Sequence, residues 1–191
     1  MNRLGALARH AGTATVIAGV ALLSYAGIVV LKARAHQQTF EAAPRADAVS
    51  PPAVPAPPPL VEGDTIGEIR VDRIGLRTVI TQGESDAILD LGAGHLADTP
   101  WLGQPGNVVL AGHRDTVFRP LEQIRVGDVI EVTGHSAVVR YAVTSMKIVE
   151  PTDISVLDAS DSNTLTLVTC FPFVYVGHAP HRFIVRASEI R

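Results

Sequence analysis

An all-β fold is predicted for the part of this chain beyond Gly63, on three observations. Short runs of alternating apolar and polar residues, rich in Val, Ile and Thr, recur along it. Clusters of turn-forming residues separate them. Only two short stretches carry a helical signal. Many short strands at such spacing favour a closed barrel or a sandwich.

In chain order, strands are expected near Ile66 to Val71, Arg77 to Thr81, Val108 to Ala111, Val129 to Val132, Ala137 to Ile148, Leu165 to Cys170 and Phe183 to Ala187. Asp72-Arg73-Ile74-Gly75 separates the first two strands, and Thr133-Gly134-His135-Ser136 supplies the turn before the long fifth. A short helix is expected from Ser85 to Leu91, opened by Ser85-Asp86 and stopped at Gly92, with another turn of helix near Ile154 to Leu157 after Pro151. Pro172 cannot continue a ladder, so the strand through Cys170 ends there and Cys170 lies at a strand rim.

The amino-terminal part has a different composition. No charged residue occurs from Ala11 to Leu31, and a stretch of about 20 apolar residues spans a hydrocarbon core as a helix. Residues 11–31 are therefore expected to form a transmembrane anchor, with 1–10 as a short tail. Ala33-Arg34-Ala35 resembles a signal-peptide cleavage site. Against cleavage, the apolar run exceeds the usual h-region of about 7 to 15 residues, and Lys32 and Arg34 intervene before that site. Residues 32–62 are rich in Pro and Ala, from Pro44 through Pro57-Pro58-Pro59. Proline fixes φ and removes donors, so this segment reads as an extended spacer. Residues 63–191 then form one domain.

Composition narrows the partners. A formal net charge of −3 provides no basic field for nucleic acid. The histidines are scattered around a lone cysteine, which does not suit a structural metal site. Glu62, Asp64 and Glu68 are too dispersed to argue for a Ca²⁺ site. Neither metal nor cofactor is expected.

Cys170 is the only cysteine of the chain. Exported chains normally pair their cysteines, so an unpaired one at a strand rim suggests a thiol kept for reactivity. The competing reading is a small buried hydrophobe. Two further groups suit nucleophilic chemistry. His113 closes the run Val108-Val109-Leu110-Ala111-Gly112 and is placed to carry protons, or else to hydrogen-bond a loop. Arg182 opens the last strand, where a planar, permanently charged fork would stabilise a developing oxyanion. Arg186 shares its face by strand parity, so periodicity does not choose between the two arginines. Asp115 could orient His113 in a protease-type triad, although its closeness in sequence favours a turn role.

Thr166-Leu167-Val168-Thr169-Cys170 resembles the TLxTC signature of sortases. Gly106-Asn107-Val108-Val109-Leu110-Ala111-Gly112-His113-Arg114 resembles that family's histidine strand, and Arg182-Phe183-Ile184-Val185-Arg186-Ala187 its arginine strand. The motifs occur in family order, the resemblance covers approximately residues 63–191, and the wording around His113 and Arg182 is most similar to the class D branch.

The resemblance implies an eight-stranded β-barrel with short helices, preceded by the transmembrane helix. It implies His113, Cys170 and Arg182 as the catalytic residues, with Thr169 and His95 as candidate substrate contacts. Thr169 is equally a β-branched strand residue, and His95 equally a loop residue. The implied activity is transpeptidation: cleavage of an LPxTG-like sorting signal, a thioacyl intermediate on Cys170, and transfer to an amine. The partners would be exported proteins with a carboxyl-terminal sorting signal and an amine acceptor such as a peptidoglycan precursor. The domain would face the extracytoplasmic side of the cell membrane. A cysteine hydrolase on the same fold, or a non-catalytic membrane-anchored β-domain, are the alternatives.

Overall fold

In the computed structural model, residues 61–134 and 137–190 are described, together with Gly27, Ile28, Leu31 and Lys32, which are helical. Apart from those four residues and Val61 and Glu62, the predicted anchor and spacer lie outside the described residues, as do His135 and Ser136. No helix among the described residues is long and apolar enough to cross a membrane.

Eight strands close into one barrel in the order β1-β2-β3-β4-β7-β8-β6-β5. They are β1 (Thr65–Val71), β2 (Leu76–Gln82), β3 (Ala93–His95), β4 (Asn107–Ala111), β5 (Val129–Gly134), β6 (Val138–Val149), β7 (Thr164–Phe171) and β8 (His181–Ile190). Closure comes from the antiparallel β1–β5 pairing, which leaves the described barrel without a free edge. Two neighbours are parallel, β2–β3 and β4–β7, and parallel pairs need crossovers. The first crossover carries the short helix Asp86–Leu89. The second runs through β5 and β6, placing the end of β4 beside the end of β7.

Seven strands coincide with the predicted runs, each within a few residues. The eighth, β3, was not among the expected strands, and it places His95 in a strand where a loop was one of the two readings. Its three residues include Gly94 and show no usable alternation; pairing with β2 and β4 makes it a strand. Asp72–Ile74 forms a 3₁₀ turn that Gly75 ends with φ 65°, a left-handed conformation that glycine enters without steric cost. The stretch Ile154–Leu157 is a 3₁₀ turn, where Asp153 accepts from the Ser155 amide.

Strand alternation fills the barrel. Ile69, Leu76, Ile80, Val108, Leu110, Ile130, Val132, Leu165, Leu167, Val185 and Ala187 join one buried core. Removing a side chain of this size from water stabilises by about 1.5–3 kcal/mol. On β7 and β8 the inward residues therefore include Leu165, Leu167, Val185 and Ala187, and Cys170, Arg182 and Arg186 fall on the opposite, outward parity.

Candidate active site

The sequence left two arginines competing for a place beside Cys170, and register decides between them. Cys170 is the direct partner of Arg182 across β7 and β8, whereas Arg186 faces Thr166. Directly opposed residues on an antiparallel pair share a face, with Cβ atoms about 4.5–5.5 Å apart. At about 3.3 Å rise per residue, Arg186 lies roughly 13 Å farther along the strand. Cys170 and Arg182 are both partly exposed. Arg182 Nη1 donates to the His181 carbonyl at 3.0 Å and reaches that of Ala179 at 3.4 Å.

His113 reaches the same rim through the parallel β4–β7 pair. Beyond the last ladder partners, Ala111 and Val168, the Gly112 amide donates to the Val168 carbonyl at 3.1 Å. The Thr169 hydroxyl donates to the Gly112 carbonyl at 2.7 Å. Gly112 and Thr169 are thus bonded, and the next residues in the chain are His113 and Cys170. Glycine is required at 112, because a Cβ there would lie 2.7 Å from the Phe118 ring. His113 is one-third exposed and its Nε2 is 3.5 Å from Asp90 Oδ1. Asp90 follows the helix Asp86–Leu89. Asp115, by contrast, is exposed and has neither hydrogen bond nor ion pair among the described residues. No local sequence pattern pointed to Asp90, whose approach depends on the β3–β4 pairing.

The two candidate substrate contacts occupy buried positions. Thr169 is 2% exposed and its hydroxyl is committed to Gly112, so it ties β7 to the residue before His113. His95 is 2% exposed within β3. Its Nδ1 pairs with the Gln82 side-chain amide at 2.8 Å and its Nε2 with the Pro100 carbonyl at 3.0 Å. Trp101 packs edge-on against the ring at 5.8 Å. Burial holds the His95 imidazole below its usual range, with the Pro100 carbonyl opposing the shift. Neither residue opens toward solvent.

Connections on either side frame the outward surface of β7. Asn107 Nδ2 donates to the Val156 and Asp158 carbonyls, at 3.0 and 3.1 Å, and Asn107 Oδ1 accepts from Thr166 at 2.6 Å. This ties the β6–β7 connection to β4 and β7, with Ile154 exposed upon it. Past Cys170 the Phe171–Pro172 peptide is cis. Phe171, Phe173 and Phe183 cluster there with ring centroids 5.3–6.3 Å apart. Val174 and Val176 are exposed at the tip of the β7–β8 connection.

A mixed-charge depression of about 280 Å³, lined by residues including Arg70, Arg73, Asp128 and Arg140, shares no residue with this rim. Among the described residues no group of three or more His, Cys, Asp or Glu side chains is arranged to hold a metal ion. What the rim offers is a partly exposed thiol, an imidazole and a guanidinium on three neighbouring strand ends.

Residues 69–190 match the family model of the sortase domain. The chain is 33% identical to Sortase D of Bacillus subtilis (strain 168), over 67% of this chain and 65% of that protein. It is 32% identical to Sortase A of Listeria monocytogenes, over 55% of this chain and 49% of that one. The matched part thus spans less than two thirds of either relative's length. Among solved structures, a Clostridium perfringens Sortase D5 transpeptidase superposes with a TM-score of 0.63 at 33% identity, covering 69% of this chain and 82% of that one.

Proposed function

The chain belongs to the sortase family, and on that premise we propose that it is a cysteine transpeptidase. The Cys170 sulfur attacks the threonine carbonyl of an LPxTG-like sorting signal, forming a C–S bond as the C–N bond to the next residue breaks. His113 gives a proton to the departing amine. The thioester then meets an acceptor amine, which loses its proton to His113, forms the new amide and returns the thiolate to Cys170. Arg182 donates to the oxyanion in both tetrahedral intermediates, a role worth roughly 2.7–4 kcal/mol of barrier for one fixed donor.

The observation that carries this reading is the register pairing of Cys170 with Arg182, beside the Gly112–Thr169 bond that brings in His113. The guanidinium presents a fixed planar fork of donors, while the imidazole passes a proton to the leaving amine and takes one from the incoming amine. Apolar residues exposed on the two flanking connections, Ile154 and Val174, support a peptide substrate with an apolar side chain. Thr169 and His95 support the site from within the barrel, through the Gly112 and Gln82 bonds.

Location follows from the same reading. The apolar run 11–31 would hold the domain at the cell membrane and the proline-rich spacer would extend it on the extracytoplasmic side. Exported proteins with carboxyl-terminal sorting signals are the donors, and a peptidoglycan precursor or another protein supplies the amine.

The test is a fluorogenic sorting peptide incubated with and without an amine such as triglycine. A transpeptidase yields the ligated product in proportion to amine. Free threonine acid as the sole product at every amine concentration would establish a hydrolase instead.

A further inference from the structure

Arg114 follows His113, and its guanidinium reaches the β7–β8 connection. Nη2 donates to the Tyr175 carbonyl at 3.1 Å and lies 3.4 Å from that of Gly177. The Arg114 guanidinium carbon stands 5.8 Å from the centroid of the Tyr175 ring, within cation–π range. Farther along, Arg119 Nη1 donates to the Phe173 carbonyl at 2.7 Å. The segment leaving His113 thus grips the connection that joins Cys170 to Arg182.

That grip matters because, beyond the buried Phe173 at its start, the connection has little else to hold it. Among the described residues, positions 172–180 make no backbone–backbone hydrogen bond outside the strands. Val174 and Val176 are 76% and 99% exposed, so packing does not fix the tip. Its end nonetheless contributes to the site: beside the carbonyl of His181, the first residue of β8, Arg182 Nη1 faces that of Ala179, in the connection, at 3.4 Å. A side chain held by main-chain carbonyls is only as well placed as the segment carrying them.

We propose that Arg114 is a positioning residue of this site: by clasping the β7–β8 connection at Tyr175 and Gly177, it fixes the Ala179 carbonyl that helps orient Arg182 beside Cys170. The proposal rests on the reading of Arg182 as the oxyanion donor. The Arg114 side chain bonds to Tyr175 and Gly177 rather than to Cys170, and its effect passes through a neighbour. Arg at this position gives a fork and a planar face together, which Lys does not.

The experiment uses the full chain, with Arg114→Ala and Arg114→Gln in the wild-type and Arg182→Lys backgrounds, folding being confirmed by thermal unfolding. Arg114→Ala should speed limited proteolysis within 172–180 and lower kcat on a sorting peptide by about ten- to a hundredfold, the scale of a displaced catalytic group, with KM within about twofold. In the Arg182→Lys background the same substitution should cost less than about twofold. Arg114→Gln keeps an amide donor and should recover part of the loss. Tyr175→Ala removes the stacked ring alone and should loosen the connection less.

Equal losses from Arg114→Ala in both backgrounds would overturn the proposal. So would an unchanged rate of proteolysis within 172–180, a result readable without substrate, so a failed clasp is distinguishable from a failed assignment of function.

Discussion

Cys170 of β7 and Arg182 of β8 stand directly opposite each other in the antiparallel ladder, and Arg186 is paired with Thr166 instead. The proposed chemistry therefore discriminates between two arginines of one strand face. Arg182→Lys keeps charge but loses the planar fork, and kcat/KM on a sorting peptide should fall by at least about 10²-fold, the scale for losing one fixed oxyanion donor. Arg186→Lys should stay within about twofold, as surface changes remote from a site usually do. Steady-state kinetics of both variants on one peptide make the comparison.

The Thr169 hydroxyl bond to Gly112 predicts a coupled loss of stability and rate. Thr169→Val preserves the strand-forming branched shape but deprives the buried Gly112 carbonyl of its side-chain donor. Leaving a buried acceptor unsatisfied costs about 1–3 kcal/mol. Denaturant unfolding should show that loss, and kcat should fall by about tenfold as the end of β4 shifts against Cys170. KM should change little, because Thr169 is 2% exposed and faces Gly112.

The two aspartates near His113 should behave differently. Asp90→Asn removes the carboxylate 3.5 Å from His113 Nε2. Exposed pairs of this kind are worth about 0.2–1 kcal/mol, so kcat/KM should drop by no more than about fivefold, and 0.5 M salt should shrink the difference from wild type. Asp115→Asn should be silent. A collapse at Asp115 to the level of His113→Ala would instead support a protease-type triad.

His95 predicts a pH dependence of stability with a definite sign. Burial lowers its affinity for a proton in the folded state, so the unfolded chain, with an ordinary imidazole near 6.5, binds the proton more readily. Its contribution is complete above about pH 6.5 and declines as pH falls toward the lower folded value. Urea unfolding should show wild type losing stability between pH 7.5 and 5.5. His95→Gln should be less stable at pH 7.5 and flatter across that interval.

How much of this was legible in the sequence depended on whether local pattern or tertiary pairing determined each feature. Leu165 to Cys170 alternates clearly, and β7 lies where the alternation places it. Ala93–His95 carries too few residues and a central glycine, so β3 exists only by its neighbours. The last strand begins at His181 rather than Phe183, because the ladders with β6 and β7 extend it. Parity put Arg182 and Arg186 on one face but held no register. Asp90 was invisible because the barrel, not the chain, brings it to His113. Thr169 was offered as a substrate contact or a strand residue, and its hydroxyl faces Gly112 inside the sheet, a pairing that no local pattern encodes.

If acyl transfer runs through Cys170, the thioester can be trapped there. The full chain is mixed with a sorting peptide in the absence of amine, quenched in acid within one turnover, digested and mapped by mass spectrometry. An acyl adduct is expected on the peptide containing Cys170, discharged by triglycine with formation of the ligated product and absent from Cys170→Ala. Cleavage that proceeds in Cys170→Ala, or an adduct carried by any other residue, would contradict acyl transfer through Cys170.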